Sequence, residues 1–338
     1  MPEFEIVKYS EDWAESHAAL AERTYPGKRR RADPGYLRWK YQAPPTGEVP
    51  DLFLAVRHGE VIGQTGLMRC TLAHRGELVP VQWLCEIMVD PEARRLGVAR
   101  GIWQAIFDTG IVTLGSDPSE AADKSLAKVG MGSIAASWVM ILPLKLGPVV
   151  AARYGQAARA ERLISLAGKP VVRFRNRALH HAAGSPDAAA CSWRDVADLL
   201  IAKEAATETT HIVHDTAWLE WRCPGLDGWN RELEAVRTPA GSFAIIERDT
   251  ARVTVHEWHA PTDEEAAKLF GRVLYLAGSY GVHMIETYAA DAEEKARLER
   301  LAFQARRSRT TVLEYPRGYL ADADGAFAFM GYDNDYHL

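Results

Sequence analysis

The sequence predicts a mixed α/β protein of two related halves, each a mixed, mostly antiparallel sheet flanked by helices. Segments with the apolar periodicity of strands alternate with segments that have the periodicity of helices. A short pattern also recurs, because Asp33-Pro-Gly-Tyr-Leu-Arg-Trp-Lys40 reappears 182 positions later as Asp215-Thr-Ala-Trp-Leu-Glu-Trp-Arg222. The strands and helices that follow each copy have the same order, so we expect a duplication.

The first half follows the order βααβββαβαβ. Pro34 suits the first position of the second helix, and Gly130 suits the C-cap of the fourth. Turns at His58-Gly59 and Arg75-Gly76 separate three of the strands. We expect strands at 4–8, 52–57, 61–71, 78–90, 111–115 and 134–143, and helices at 10–24, 33–42, 97–109 and 119–129.

The second half repeats this order after a basic connection. Residues 147–187 are Ala-rich and basic, and we interpret them as a helical linker between a domain at 1–146 and a domain at 188–338. The linker charges indicate a solvated helix face or, alternatively, a surface for anionic partners. We expect helices at 194–206, 215–222, 262–280 and 291–303, and strands at 232–237, 242–248, 251–258, 282–288 and 309–315.

Composition and charge limit the class of protein. The chain of 338 residues is 47% hydrophobic and carries a net charge of -5, so we expect a globular protein that does not bind nucleic acid. Its four cysteines form no CxxC pair, and we expect no metal site. We see neither a signal peptide nor an apolar run long enough for a transmembrane helix, which favours a cytoplasmic protein. The oligomeric state stays open.

One strand–turn–helix segment indicates a phosphate-binding turn. An apolar strand ends at Val89, Pro91 makes a turn, and Arg94-Arg95-Leu-Gly97-Val98-Ala99 opens a helix. The first N–H groups of a helix have no partner within it and lie at the positive end of its dipole. Gly97 also lets a ligand approach the backbone closely. The segment therefore predicts a diphosphate-binding turn.

This segment resembles the signature of the GNAT acyltransferase superfamily, Val-x-Pro followed by Arg or Gln-x-x-Gly-x-Gly or Ala. The stretch Ser119–Gly130 is similar to the family's next helix, Asn-x-x-Ala-x-x-Leu-Tyr-x-Lys-x-Gly. The resemblance covers roughly residues 4–145. It implies a GNAT-like domain with acetyl-CoA or another acyl-CoA as co-substrate and direct attack by an amine. It places the acyl-CoA contacts at Met88, Val89, Arg94, Arg95, Gly97, Val98, Ala99, Arg100 and Ser119.

Two positions decide the expected acid–base chemistry. Glu86 is the candidate catalytic base, because burial in an apolar strand would raise its pKa toward a useful range. The alternative for Glu86 is an ion-paired strand carboxylate. Leu126 stands where the family often has the Tyr that protonates the departing thiolate, so another group or water would serve there, if protonation is needed at all.

The second half lacks the phosphate-binding turn. Pro261 is followed by Asp263, Glu264 and Glu265, which suit a helix start but would repel a diphosphate. We therefore expect a degenerate GNAT-like domain that shapes the acceptor site, and one active site per chain. The candidate acceptor-binding residues are Trp39, His256, Trp258 and Asp333. Core packing is the alternative for Trp39, and a frayed terminus is the alternative for the segment around Asp333.

Three functions follow from these residues. The leading hypothesis is an acyl-CoA-dependent N-acyltransferase that acetylates a primary amine of a small molecule, with an amino sugar or cell-envelope precursor as the acceptor that the resemblance suggests. A Fem-like aminoacyl transferase is the second hypothesis, which the diphosphate turn and the acidic net charge argue against. A non-catalytic CoA-binding or scaffold protein is the third, because of Leu126 and the degenerate half.

Overall fold

The computed structural model describes residues 3–27, 29–42, 51–148, 164–166, 168–170, 172, 176–182, 190–226, 233–330 and 333. Thirteen strands within these ranges form one sheet. The strands are β1 (Glu5–Lys8), β2 (Leu52–Arg57), β3 (Glu60–His74), β4 (Glu77–Val89), β5 (Val112–Ser116), β6 (Gly132–Pro143), β7 (Cys191–Ser192), β8 (His211–Ile212), β9 (Glu234–Arg237), β10 (Phe243–Arg248), β11 (Arg252–His259), β12 (Met284–Ala289) and β13 (Gln304–Tyr315).

The α-helices lie on both faces of the sheet. They are α1 (Ala14–Thr24), α2 (Pro34–Gln42), α3 (Val98–Phe107), α4 (Glu120–Lys128), α5 (Arg177–Ala182), α6 (Ala197–Ala205), α7 (Thr216–Arg222), α8 (Asp263–Tyr280) and α9 (Ala292–Arg300). All strands and helices expected from the sequence outside the linker are present. The structure adds the two-residue strands β7 and β8 and begins β13 five residues before the predicted start at 309. The mixed α/β fold with a mostly antiparallel sheet is confirmed.

The two halves share one continuous sheet, in which the last strand of each half lies beside the other half. The strand order is β1-β2-β3-β4-β5-β13-β6-β12-β11-β10-β9-β7, with β8 beside β3. Strand β13 pairs with β5 and with β6, and β6 pairs with β12. This exchange gives the central strands partners on both sides and leaves no open edge between the halves. The boundaries near 146 and 188 therefore divide the chain but not the sheet, and they stay a prediction.

The helices pack against the two faces of the sheet and enclose three hydrophobic cores. On one face, α1, α2, α6 and α7 share a continuous core that crosses both halves and contains Trp83 and Phe329. On the other face, α3 and α4 pack under the first half, and α5, α8 and α9 pack under the second half. Neighbouring residues of β4 show the two faces, because Trp83 belongs to the first core and Leu84 to the second.

The repeated sequence pattern produces equivalent helix starts. The Asp33 carboxylate accepts a hydrogen bond from the backbone N–H of Tyr36 at 2.9 Å. The Asp215 carboxylate accepts the equivalent bond from Trp218 at 2.8 Å. An aspartate in this position satisfies one of the free N–H groups of the first turn. The two copies therefore begin α2 and α7 with the same cap.

Several expectations fall on parts of the chain with little or no described structure. The predicted linker 147–187 lies largely outside the described residues, although Leu179 of α5 is buried in the second-half core. Of the polar and aromatic tail, Asp333 is described and 331, 332 and 334–338 are not. Within the described ranges, no helix has both the length and the apolar character that a membrane crossing requires. All four cysteines are free thiols.

Candidate active site

A cleft opens between two parallel strands of the first half. Strands β4 and β5 pair only from Val81 to Trp83, opposite Val112 to Leu114. Strand β4 then continues to Val89, while β5 continues to Ser116 in contact with β13. Because no described strand pairs with β4 on this side after Trp83, its backbone N–H and C=O groups there can pair with an extended ligand. The cleft lies where the resemblance places the pantetheine arm.

The diphosphate turn directly follows the open end of β4. A 3-10 turn covers Pro91–Leu96, and Gly97 has a φ of +76°, in the left-handed region that favours glycine. Helix α3 begins at Val98, and no side chain caps it. Its first N–H groups therefore lack both an intrahelical partner and a cap. A Cβ built on Gly97 would meet no atom within 4 Å, so the backbone is open to a ligand here.

The charged residues of this turn surround its open end. Arg94, Arg95 and Arg100 are exposed, Ala99 is half-buried, and the Val98 side chain packs in the core. The Asp90 carboxylate accepts the Glu92 N–H at 3.0 Å. It also pairs with Arg23 of α1 at 2.8 Å, which ties the turn to the opposite face of the sheet. The start of the turn is therefore held by the contacts of Asp90, whereas no side chain caps the helix at its end.

The start of α4 adjoins the cleft, and its end does not supply an acid. Ser119 caps α4 by accepting the Ala122 N–H at 3.3 Å, three residues after β5 ends. Leu126 is buried in the core with Met131 and Leu313. Position 126 therefore packs the helix onto the sheet.

Glu86 occupies a β-bulge inside the open part of β4. The register of β3 with β4 shifts between Gln64 and Gly66, which pair with Met88 and Cys85. Glu86 itself has a φ of +46°, which is uncommon for a residue with a side chain. Strained backbone of this kind persists only where the surroundings hold it, and it concentrates at functional sites. The bulge ends regular pairing at the point where the cleft opens.

The Glu86 side chain is a buried, ion-paired carboxylate. It accepts a hydrogen bond from the Tyr41 hydroxyl at 3.0 Å and lies 3.3 Å from Lys40 Nζ and 3.8 Å from Arg31 Nε. Burial opposes the charged form, but Lys40, Arg31 and the Tyr41 hydroxyl together hold the pKa of Glu86 below its usual value. The prediction that burial raises this pKa was wrong, because the sequence did not place two cations beside it. The ion-paired alternative describes the structure.

A second pair of side chains holds the bulge from the neighbouring strand. The Gln64 amide donates to the backbone carbonyl of Glu86 at 3.1 Å, and its carbonyl oxygen makes a close contact with His17 Nε2. Burial lowers the pKa of His17, so its imidazole is neutral at physiological pH. Sequence reasoning did not identify His17, Gln64 or Tyr41, because no local pattern links them to Glu86. Lys40 belongs to the repeated pattern, which was the one sequence feature that drew attention to a partner of Glu86.

The equivalent cleft of the second half is closed. Strands β11 and β12 pair from Arg252 to Val255, and β11 then continues to His259. The Trp258 indole bridges the gap by donating to the Tyr288 carbonyl at 3.0 Å. Trp258 is 3% exposed and packs edge-on against Phe270. Trp258 therefore packs into the second cleft, and the contact with an acceptor that we predicted for it stays a prediction.

The helix start beyond the second cleft is occupied as well. Thr262 caps α8 by accepting the Glu265 N–H at 3.2 Å, and three acidic residues follow in the first turn. Arg297 of α9 donates to the Ala260 carbonyl at 2.7 Å. Because the cap and the acidic turn take the place of a free, positive helix end, this position is unsuited to a diphosphate.

The three other predicted acceptor residues contact partners within the protein. Trp39 exchanges hydrogen bonds with Trp221 between the two halves. His256, the bulge residue of β11, is 1% exposed and contacts Glu247 at 3.0 Å. Asp333 is buried and contacts His214 at 2.7 Å. In the structure all three have polar or aromatic partners within the protein, and their contact with an acceptor stays a prediction.

The second half contains a buried ionic cluster, which we define as Lys203, Glu204, His214, Glu257 and Asp333. Ligand atoms of Glu204, His214 and Glu257 lie within 4.8 Å of one another and could surround a cation. Lys203 Nζ already makes a close contact with Glu257. Both His214 nitrogens face carboxylates, at 2.5 Å and 2.7 Å. Burial lowers the pKa of His214, but these carboxylates outweigh it and raise the pKa to about 10, so two cations, Lys203 and His214, face three carboxylates in the cluster.

Comparison with known proteins supports the reading of the first half. Residues 5–111 match the family model described as an Acetyltransferase (GNAT) domain. This range includes β1 to α3, and so both the cleft strand β4 and the diphosphate turn. No curated protein matches the chain in sequence.

Solved structures share the fold across both halves. A GCN5-related N-acetyltransferase from Kribbella flavida superposes with a TM-score of 0.59 at 14% identity, covering 91% of this chain and 70% of that one. A GCN5-related N-acetyltransferase from Anabaena variabilis gives 0.58 at 12% identity, with 92% and 72% covered. Saccharomyces cerevisiae N-myristoyltransferase with bound myristoyl-CoA gives 0.58 at 12% identity, with 94% and 79% covered. Residues 5–111 therefore match a GNAT acetyltransferase domain, and the described part of the chain shares the fold of these acyltransferase structures.

Proposed function

We propose that this chain transfers an acetyl group from acetyl-CoA to the primary amine of a small molecule, at one site per chain. The observation that carries the proposal is the direct succession of the open strand β4 and the uncapped start of α3. Parallel pairing stops at Trp83, and the free N–H groups begin after Gly97. A thioester donor with a diphosphate needs these two features next to each other.

The residues of the cleft divide the work between binding and orientation. The first-turn N–H groups of α3, with Arg94, Arg95 and Arg100 around them, would hold the diphosphate. The free edge of β4 near Met88 and Val89 would pair with the pantetheine amides. A backbone N–H at the bulge would stabilise the charge that develops on the thioester oxygen. The amine nitrogen then attacks the carbonyl carbon, the C–S bond breaks, and CoA leaves as a thiolate. The proton lost by the amine passes through water to that thiolate, which gives the amide and free CoA.

Tight packing at the inner end of the cleft supports a short acyl group. Trp83 and Cys85 of β4 are each 1% exposed. The Trp83 ring lies 6.0 Å from the ring of Phe329 and closes the sheet face beside them. A long acyl chain would have to displace these side chains, whereas an acetyl group needs little room. The acceptor class suggested by the resemblance, an amino sugar or cell-envelope precursor, remains part of this proposal. The free cysteines fit a reducing compartment such as the cytoplasm.

The test combines calorimetry with a thiol-release assay. Titration with acetyl-CoA should give one binding site per chain, because Trp258 fills the second cleft. Thiol release with a panel of amino sugars, amino acids and diamines should then identify acceptors. Binding without release for every amine would instead support a CoA-binding scaffold. Absence of acetyl-CoA binding would reject the proposal, and release that depends on aminoacyl donors would support the Fem-like alternative.

A further inference from the structure

Arg31 is a fixed arginine whose hydrogen-bonding capacity is unused within the described part of the chain. Its guanidinium lies over the ring of Tyr25, with Cζ 3.9 Å from the ring centre. Its Nε is buried and makes no hydrogen bond, and its ion pair with Glu86 is long at 3.8 Å. Stacking on an aromatic ring fixes the plane of a guanidinium and leaves its N–H fork available.

Among the described residues, the ion pairs of Arg31 and Lys40 share one carboxylate. Arg31 and Lys40 both face the carboxylate of Glu86, and Lys40 is the nearer of the two at 3.3 Å. The neutral Tyr41 hydroxyl also donates a hydrogen bond to this carboxylate. One carboxylate therefore serves two cations, and the closer cation already pairs with it. A partly buried guanidinium in this position is stabilised when an anion binds it.

The excess charge belongs to the half with the open cleft. The repeat offset of 182 places Val213 at the position equivalent to Arg31, and the second-half bulge carries His256 where the first carries Glu86. The half with the open cleft therefore has an arginine, Arg31, at this position. The other half, whose cleft Trp258 fills, has the apolar Val213 instead.

We propose that Arg31 binds an anionic group, a carboxylate or a phosphate, on the amine acceptor. This inference rests on the proposed function and specifies its acceptor class. The side chain of Arg31 is 16% exposed, so its N–H groups can reach a bound molecule. The side chain of Lys40 is fully buried and adds a second positive charge near the same carboxylate. An acceptor held at Arg31 by its anionic group is oriented relative to the bulge at Glu86, where the cleft opens.

The experiment compares matched acceptors and matched variants. Thiol release from acetyl-CoA is measured with amino acids, with the corresponding amino acid amides and with amino sugar phosphates and their unphosphorylated forms. Arg31→Gln should lower kcat/KM about 30-fold for anionic acceptors and less than threefold for neutral ones, because a hydrogen-bonded charge is lost. Arg31→Lys should recover part of the activity. Arg30→Gln removes the neighbouring arginine, which lies over Tyr36, and serves as the control.

The outcomes separate this inference from the proposed function. If neutral and anionic acceptors react equally well, or if Arg31→Gln lowers both equally, Arg31 is a structural partner of Glu86 and the inference is wrong. The relative rates of the amino acid and the phosphate arms identify which anion is bound. If no amine supports thiol release while acetyl-CoA still binds, the proposed function itself fails. Calorimetric acetyl-CoA affinity and thermal unfolding of each variant confirm that the donor site and the fold are intact.

Discussion

Trp39 and Trp221 exchange hydrogen bonds across the junction of the two halves. Trp39 Nε1 donates to the Trp221 carbonyl at 3.4 Å, and Trp221 Nε1 donates to the Trp39 carbonyl at 2.9 Å. The ring centroids lie 5.8 Å apart. The two residues hold the same position in the repeated pattern, and each indole N–H donates to the backbone carbonyl of the other residue. Such reciprocity is the property of a contact on a twofold axis, here an approximate one between α2 and α7 within one chain.

We expect a double-mutant cycle to measure this coupling. Trp39→Phe and Trp221→Phe each keep an aromatic ring but leave one buried carbonyl without its donor, so each should cost about 1–3 kcal/mol of unfolding free energy. Because the residues touch, the double variant should cost less than the sum of the two by about 0.5–1.5 kcal/mol. Urea unfolding of the four proteins gives these numbers. Additive costs would show that the two bonds are independent.

The sequence sufficed for those features that depend on local order. The periodicity of each segment predicted its strand or helix, and the Pro91 turn before Gly97 and α3 is present, with Gly97 at a left-handed φ of +76°. These features depend on interactions between residues near in sequence. The repeat also predicted equivalent helices, and the packing of Trp39 against Trp221 is its structural counterpart.

The features that the sequence did not reveal depend on contacts between distant segments. Strand β13 of the second half lies between β5 and β6 of the first half. The sequence did not predict this placement, because the local patterns of β13 and β6 are alike. The pKa of Glu86 depends on Lys40 and Arg31, which lie in a separate helical region. The sequence placed Trp258 and His256 at a strand end as acceptor-binding candidates, and the structure buries both side chains among their neighbours. Tertiary contacts, which no single segment encodes, decide all of these.

Substitution of Gly97 should separate ligand binding from fold stability. Gly97→Ala places a side chain at a φ of +76°, which costs about 1–2 kcal/mol, although the added Cβ meets no protein atom. The Cβ would point into the space that the diphosphate needs. We therefore expect acetyl-CoA affinity to fall at least tenfold in isothermal titration calorimetry.

Gly59 provides the matched control for Gly97. It has a φ of +79°, lies in the turn before β3, and has nothing within 4 Å of its added Cβ. Gly59→Ala should therefore lower the unfolding temperature by about as much as Gly97→Ala does and leave acetyl-CoA affinity unchanged. Equal losses of affinity in the two variants would show that backbone strain, and not blockage of the ligand, weakens binding.

Glu86→Gln should lower turnover at least tenfold with little change in acetyl-CoA affinity. The carboxylate holds Lys40, Arg31 and Tyr41 in place, and its loss leaves buried cations without their partner. Because the pKa of Glu86 is lowered, Glu86 does not titrate between pH 6 and 9. Any limb of the kcat/KM profile in that range should persist in the variant, as expected of a positioning residue. A limb that disappears with Glu86→Gln would identify Glu86 as a base after all.

His214 should make the unfolding free energy depend on pH above neutrality. Glu204 and Asp333 flank its two nitrogens and raise its pKa from 6.5 to about 10 in the folded chain. The folded state therefore holds this proton more tightly than the unfolded chain does. The resulting stabilisation is complete below about pH 6.5 and decreases as the pH rises toward 10, by at most about 1.4 kcal/mol per pH unit.

Urea unfolding at pH 6, 7, 8 and 9 measures this dependence. The stability advantage of the wild type over His214→Gln should be largest at pH 6 and should shrink at each step. Asp333→Asn removes one of the two flanking carboxylates and should give a shallower dependence, since Glu204 alone then retains the proton. The reverse trend, an advantage that grows with pH, would mean that His214 is neutral in the folded chain. The tail at Asp333 would then be held by a neutral hydrogen bond and not by an ion pair.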